Sequence, residues 1–212
     1  MDLLKEILQD TEQGSEMWNK IRLGKFTSSE IHRLVSHKGK LTEKAEGYVF
    51  EKAAEIITGE SKSFDNAATV WGHQHEAEAA EAFEKKTELS VTTCGFELKT
   101  ENYGGSPDRL VGFDGLLEIK CPFNSANHIK HCLLENQEEF KKECSEYYWQ
   151  IQSNLNVTER QFAFFVSYDP RNATAPLYVL LIKRDEKDIE LINKSVEMGV
   201  VRLKEVLSRL AA

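Results

Sequence analysis

An α/β (α+β) fold is predicted here: a small central mixed β-sheet flanked by helices, behind a helical N-terminal region. Three observations predict it. Short strand-like runs bounded by turn residues cluster at 91–121 and again at 161–183. Helical patterns precede, interrupt and follow those runs. No internal repeat and no low-complexity linker divides the 212 residues, so one domain over 1–212 is the economical organisation.

The elements follow in order. Leu3 to Leu8 and Ser15 to Ile21 read as short helices. Thr27 with Glu30 three residues later is a capping-box signature, predicting a helix to about Ser36. After a Lys38-Gly39-Lys40 loop, Thr42 caps a helix reaching Ile57 and ending at Thr58-Gly59. Asp65 begins a longer helix to about Thr87. Val91 to Thr100 reads as a strand, and Glu101 to Gly105 as a turn. Ser106 to Val111 and Leu116 to Cys121 form a hairpin through the tight-turn pair Asp114-Gly115. Asn124 to Lys142 is helical with a possible break, Ser145 to Asn156 is a second helix, and Gln161–Tyr168 and Leu177–Lys183 are strands. A helix from Asp185 to Leu210 closes the chain.

Hydrophobic residues at 41% and charged residues at 29% describe an ordinary globular protein. No stretch approaches a membrane span, and the acid-containing N-terminus is unlike a signal peptide. Cys94, Cys121, Cys132 and Cys144 are scattered without a CxxC pair, which reads as free thiols in a reducing cytoplasm.

The chemistry concentrates in the hairpin. On its second strand, residues two apart point the same way, so Glu118 and Lys120 share one face while Leu117, Ile119 and Cys121 share the other. Pairing back across the turn brings Asp108 near Glu118. Two carboxylates side by side repel unless a cation sits between them, and Mg²⁺, with Mn²⁺ as a substitute, is the natural occupant. A lysine beside them can orient or deprotonate water, the apparatus of phosphodiester hydrolysis. From these three residues alone, a solvated face on an edge hairpin accounts for the pattern equally well. Pro107 before Asp108 and Cys121-Pro122 after the lysine tighten both ends of the arrangement.

Elsewhere the residues leave alternatives open. Gly72, Glu76, Ala79, Ala80 and Phe83 form one helical stripe, on which Glu76 is either a rim acid in water or one that meets a cation. His73 and His75 fall on different faces and are expected in solvent or behind the acids. Gln150 and Gln152 share a helix and cannot be separated by spacing. Arg22 beside the Thr27-Ser28-Ser29 cap is either a plain cap with a surface arginine or an anion site. Trp18 is expected in the core or stapling a helix; His128 and His131 are expected in solvent.

Pro107-Asp108 followed by Glu118-Ile119-Lys120 resembles the PD-(D/E)xK nuclease motif, and Leu117 to Phe123 resembles the phage lambda exonuclease family of YqaJ-like viral recombinases. The likeness continues in ordered blocks from about residue 13 to 171: Gln13 to Gly24, Thr27 to Glu30, Trp71 to Glu76, Trp149 to Gln152 and Val166 to Arg171. The resemblance implies a restriction-endonuclease-like core. It implies Asp108, Glu118, Glu76 and the Ile119 carbonyl as Mg²⁺ ligands, Lys120 and Gln150 as catalytic partners, and Arg22, Thr27 and Ser29 as a 5′-phosphate site. It further implies digestion of linear double-stranded DNA from its 5′ ends, a homotrimeric ring, and a single-strand annealing protein as partner. The residue patterns do not themselves exclude an endonuclease of restriction or junction-resolving type, or a non-catalytic DNA-binding protein on the same scaffold.

A net charge of −8 argues against indiscriminate coating of DNA, not against a recessed nuclease site. Basic residues do gather locally, at Arg22, Lys25, Arg33, His37, Lys38, Lys40 and Lys44.

Overall fold

The computed structural model describes residues 11–37, 40–61 and 66–211. The expected helix from Leu3 to Leu8, the Lys38-Gly39 part of the expected loop, and Asp65 lie outside them.

Side-chain caps set the helix starts. Ser15 accepts from the Trp18 amide to open α1 (Glu16–Arg22), and Thr42 accepts from the Ala45 amide to open α2 (Glu43–Thr58). Gly59, at φ +71°, ends α2 in the left-handed conformation that glycine adopts without a Cβ clash. Asn66 accepts from two amides to open α3 (Ala67–Thr87).

The Thr27–Glu30 pair departs from expectation. Ser28–Arg33 is a 3₁₀ helix, Thr27 makes no capping bond, and Glu30 pairs with Arg33. The reason is that Thr27 belongs to strand β1 (Phe26–Thr27), where its hydroxyl lies beside those of Tyr48 and Ser29.

Val91 to Thr100 is not one strand but two, β2 (Val91–Thr93) and β3 (Glu97–Thr100), separated by buried Cys94, Gly95 and Phe96. The expected turn at 101–105 contains a third, buried strand, β4 (Tyr103–Gly105). Strands β1, β4 and β3 form a small sheet of their own, mixed in direction. The second sheet carries the order β2-β5-β6-β7-β8, with β5 (Arg109–Val111), β6 (Gly115–Lys120), β7 (Phe162–Tyr168) and β8 (Leu177–Lys183). Only β6 and β7 run parallel within it, and the crossover that a parallel pair requires is helical: α4 (Ser125–Cys132), α5 (Gln137–Glu143) and α6 (Ser145–Thr158). Helix α7 (Glu186–Leu210) closes the chain. No helix among the described residues is long and apolar enough to cross a membrane.

Strand β6 is clamped from both sides. Leu117, Ile119 and Cys121 pack with Ala79, Ala80 and Phe83 of α3. Leu116, on the opposite face, joins Phe165 and the α6 residues Tyr148, Ile151 and Leu155 in the larger core. Each fully buried leucine or phenylalanine contributes about 1.5–3 kcal/mol, so a one-residue slip of β6 is heavily disfavoured. The packing therefore forces Glu118 and Lys120 toward α6.

Candidate active site

The hairpin has a three-residue loop rather than the expected two-residue turn. Val111 pairs with Gly115, and the left-handed position is Gly112 at φ +53°. Arg109 pairs with Leu117, so continuing that register sets Asp108 opposite Glu118. Asp108 itself precedes the strand, and its Oδ2 accepts a 2.6 Å hydrogen bond from the Ile119 amide. That bond fixes the carboxyl against the one strand that carries Glu118 and Lys120.

Glu118 is 1% exposed, and both of its oxygens are engaged. Oε1 accepts from Lys120 Nζ at 2.6 Å and Oε2 from Asn154 Nδ2 at 3.2 Å. Lys120 Nζ also lies 5.2 Å from the Tyr147 ring centre. Burial by itself would drain the proton from Lys120, but the charges of Glu118 and Asp108 outweigh it and hold the amine above its ordinary value. Asp108 is pushed the other way for a carboxylate. Burial and then the neighbouring Glu118 raise it well above the usual range, with Glu76 adding to the effect and Lys120 opposing it.

Glu76, on α3, takes a 2.8 Å ion pair from Arg109, whose guanidinium also donates to the Asp108 carbonyl. Its side chain thus meets a cation, as one of the two sequence alternatives required. Glu76, Asp108, Ile119 and Lys120 line a cleft of 1160 Å³ together with His131 and Tyr147. With Glu76 drawn to Arg109 and Glu118 to Lys120, no three Asp, Glu, His or Cys side chains among the described residues converge as a ready-made metal cage. The donor set nonetheless suits a hard cation. Asp108 forms no ion pair among the described residues, lies against a second carboxylate, and has its proton affinity raised by burial and by that neighbour.

The two glutamines separate. Gln152 is buried in a structural role, donating to the Lys183 carbonyl at 2.8 Å and accepting from the Asp185 amide at 2.9 Å. Gln150 is half-buried and lies between Tyr147 and Asn154 at helical spacing, on the α6 face directed to β6. It bonds to none of the acids; Asn154 holds Glu118 instead. Asn154, Tyr147 and Arg109 were missed in the sequence. The available signal was the 147–150–154 spacing on α6, and for Arg109 its register opposite Leu117, which turns it toward α3.

His128 and His131 do not face solvent. Both are buried, and their Nδ1 atoms lie 2.9 and 2.8 Å from the hydroxyl of Ser167 on β7. Burial first, then His128 and Lys120, push the His131 pKa down to about 4, so its ring is neutral near neutral pH. His73 is exposed on the cleft wall, while His75 lies against Trp71 with ring centres 4.0 Å apart and planes tilted by 53°, and bonds to Glu78.

Arg22 is not a plain surface arginine. Its guanidinium lies 3.8 Å from the Trp18 ring centre and 5.9 Å from that of Phe96. Burial pushes its pKa down to about 10, against the pull of Tyr48, Glu55 and Glu30. It forms no ion pair among the described residues. Trp18 is half-buried rather than core, and its indole N–H donates to Ser106 Oγ at 3.0 Å. That bond ties the Arg22 region to the segment two residues before Asp108. Thr27 and Ser29 are 3.3 Å apart through their hydroxyls. Of the other basic residues, Arg33 is consumed by a two-pronged bond to Glu51.

Comparison with known proteins agrees with the fold. Residues 17–161 match the model of the YqaJ-like viral recombinase domain. An alkaline exonuclease (LHK-Exo) from Laribacter hongkongensis is similar at 30% identity and a TM-score of 0.82, over 93% of this chain and 96% of that one. The structure of LHK-Exo in complex with dAMP is similar at 31% identity and a TM-score of 0.81, over 92% and 96%. A phage related exonuclease from Haemophilus somnus 129PT shares the fold at 20% identity and a TM-score of 0.71, over 88% and 96%. No curated protein matches. With more than half its length matched, the chain belongs to the YqaJ-like viral recombinase family.

Proposed function

We propose that this protein, a hydrolase acting on DNA, is a divalent-metal-dependent 5′→3′ exonuclease that digests one strand of linear duplex DNA and leaves 3′ single-stranded overhangs. One observation carries the reading. Asp108 and Lys120 open into a cleft, with buried Glu118 bonded to the lysine, and an anion-seeking arginine with no ion-pair partner among the described residues lies over the Trp18 ring, whose N–H bonds Ser106 of the same segment as Asp108.

Asp108 and Glu118, with the Ile119 carbonyl and Glu76, are the residues to hold Mg²⁺, with Mn²⁺ as a substitute. The bound ion supplies Lewis-acid stabilisation of charge on the reacting phosphate and lowers the proton affinity of water. Lys120 enters as an ammonium paired to Glu118, fit to orient water or to donate to a phosphate oxygen. Were Glu118 to hold the ion, Lys120 would keep its proton less tightly and would serve as a base. Tyr147 limits where the ammonium can swing, and Asn154 fixes the second oxygen of Glu118. Gln150 orders water on the same helical face.

Arg22, with Thr27 and Ser29, takes the terminal 5′-phosphate, which sets direction. The guanidinium is half-desolvated already, so its pairing with phosphate loses less hydration than that of a free surface arginine. We further take the whole chain to act as one domain in the cytoplasm, as a homotrimer around its DNA, handing the overhang to a single-strand annealing protein for phage-type recombination.

The test is an end-labelled linear duplex and a covalently closed circle, each incubated with Mg²⁺ or EDTA. The linear duplex should shorten from its 5′ ends only with Mg²⁺, and the circle should persist. Nicking of the circle would make the protein an endonuclease. No Mg²⁺-dependent cleavage of either would leave a DNA-binding scaffold.

A further inference from the structure

We infer that Arg109 is a resident counter-cation of Glu76 that gives way to a divalent ion, so that this guanidinium sets how tightly the cleft takes metal. The inference rests on the metal-dependent reading above.

Three acids and two cations are linked here, of which Glu76, Asp108 and Lys120 line the cleft. Glu118 is matched by Lys120 at 2.6 Å and Glu76 by Arg109 at 2.8 Å, while Asp108, which accepts from the Ile119 amide, forms no ion pair among the described residues. Arg109 reaches Glu76 because its register partner is Leu117, on the β6 face that packs against α3. The guanidinium is anchored at a second point, the carbonyl of Asp108 itself, so it stands between two of the proposed ligand residues. Side-chain exposures of 19% for Arg109 and 27% for Glu76 put the pair at the cleft rim, where it can part without opening the core. Glu76 is held by the arginine, and its release is what completes the set.

A cation a few ångströms from an acidic site opposes a second cation by electrostatics that survive in partly buried surroundings. Its removal therefore tightens metal binding, and the gain must pass through Glu76.

Mn²⁺ alone, without DNA, is titrated calorimetrically into the wild-type protein, Arg109→Ala, Arg109→Lys, Glu76→Gln and the Arg109→Ala/Glu76→Gln double variant at low salt. Arg109→Ala should bind Mn²⁺ at least about tenfold more tightly. Arg109→Lys, which keeps the charge, should stay close to wild type, and the double variant should match Glu76→Gln. Equal or weaker Mn²⁺ binding by a folded Arg109→Ala overturns the inference, as does a gain that persists without the Glu76 carboxylate. Should Arg109→Ala not fold, Arg109→Met takes its place with the same expectation. Mn²⁺ binding that Asp108→Asn abolishes but Arg109 variants leave unchanged defeats this inference alone. No Mn²⁺ binding by any form defeats the metal-dependent reading with it.

Discussion

Asp108→Asn should stabilise the metal-free protein while abolishing cleavage. The substitution keeps the shape and an oxygen for the 2.6 Å bond from the Ile119 amide, and it removes one negative charge. In the continued register Asp108 faces Glu118, which sets their Cβ atoms roughly 5 Å apart, and the two carboxylates are taken at about the same separation. At an effective dielectric constant near 20, two like charges at that separation repel by about 3 kcal/mol. The Lys120 ammonium offsets part of this, leaving about 2 kcal/mol, or roughly 4–8 °C in Tm for a protein of this size. The sign with pH follows from linkage. A carboxyl whose folded pKa is raised costs nothing below its unfolded pKa, near 3.9. Its cost grows as pH rises from there and is complete above the folded value. The stability gap should therefore be absent near pH 4, widen with rising pH, and level off. In saturating Mg²⁺ the order should reverse, because only the wild type gains full ligand stabilisation. Thermal melts of both proteins from pH 4 to 8.5, in EDTA and in Mg²⁺, make the comparison. A variant less stable than wild type at pH 8 in EDTA, or a gap independent of pH, would refute the reasoning.

Three other changes test the remaining parts. Lys120→Met should lower cleavage by about 10²–10⁴-fold with Mn²⁺ binding retained, as read by single-turnover hydrolysis and calorimetry. It leaves Glu118 buried and unpaired, so metal-free melts should show a loss of about 3–5 kcal/mol. Arg22→Ala should slow digestion of 5′-phosphorylated ends at least about tenfold while sparing 5′-hydroxyl ends; equal loss on both would reduce Arg22 to a structural residue. Asn154→Ala removes the donor to Glu118 Oε2 and should cost about 1–3 kcal/mol in stability. It should also lower kcat with KM little changed, and unaltered turnover would separate Asn154 from the chemistry.

Much of the site is readable along the chain because a strand has a period of two. The alternation in β6 already assigns Leu117, Ile119 and Cys121 to one face and Glu118 and Lys120 to the other, and the packing bears that out. Ser15, Thr42 and Gly59 mark helix ends through local bonds, and those ends lie within a residue or so of expectation. What escapes is whatever depends on a distant partner. Asn154 reaches Glu118 across 36 residues, and Arg109 reaches Glu76 across 33. His128 and His131 look like a polar helix face until β7 brings Ser167 between them. The Thr27–Glu30 signature fails because β1 claims Thr27, a tertiary pairing that no local pattern announces. Gly104 and Gly105 disguise β4 as a turn, although its backbone is buried and paired on both sides.

The central claim is that Asp108 and Glu118 share a divalent ion beside Lys120. Crystals soaked in Mn²⁺ and measured at a wavelength where manganese scatters anomalously test it directly. The account predicts an anomalous peak in the cleft within about 2.5 Å of carboxylate oxygens from both acids. A peak bound elsewhere, with Asp108 and Glu118 unliganded at saturating Mn²⁺, would contradict it.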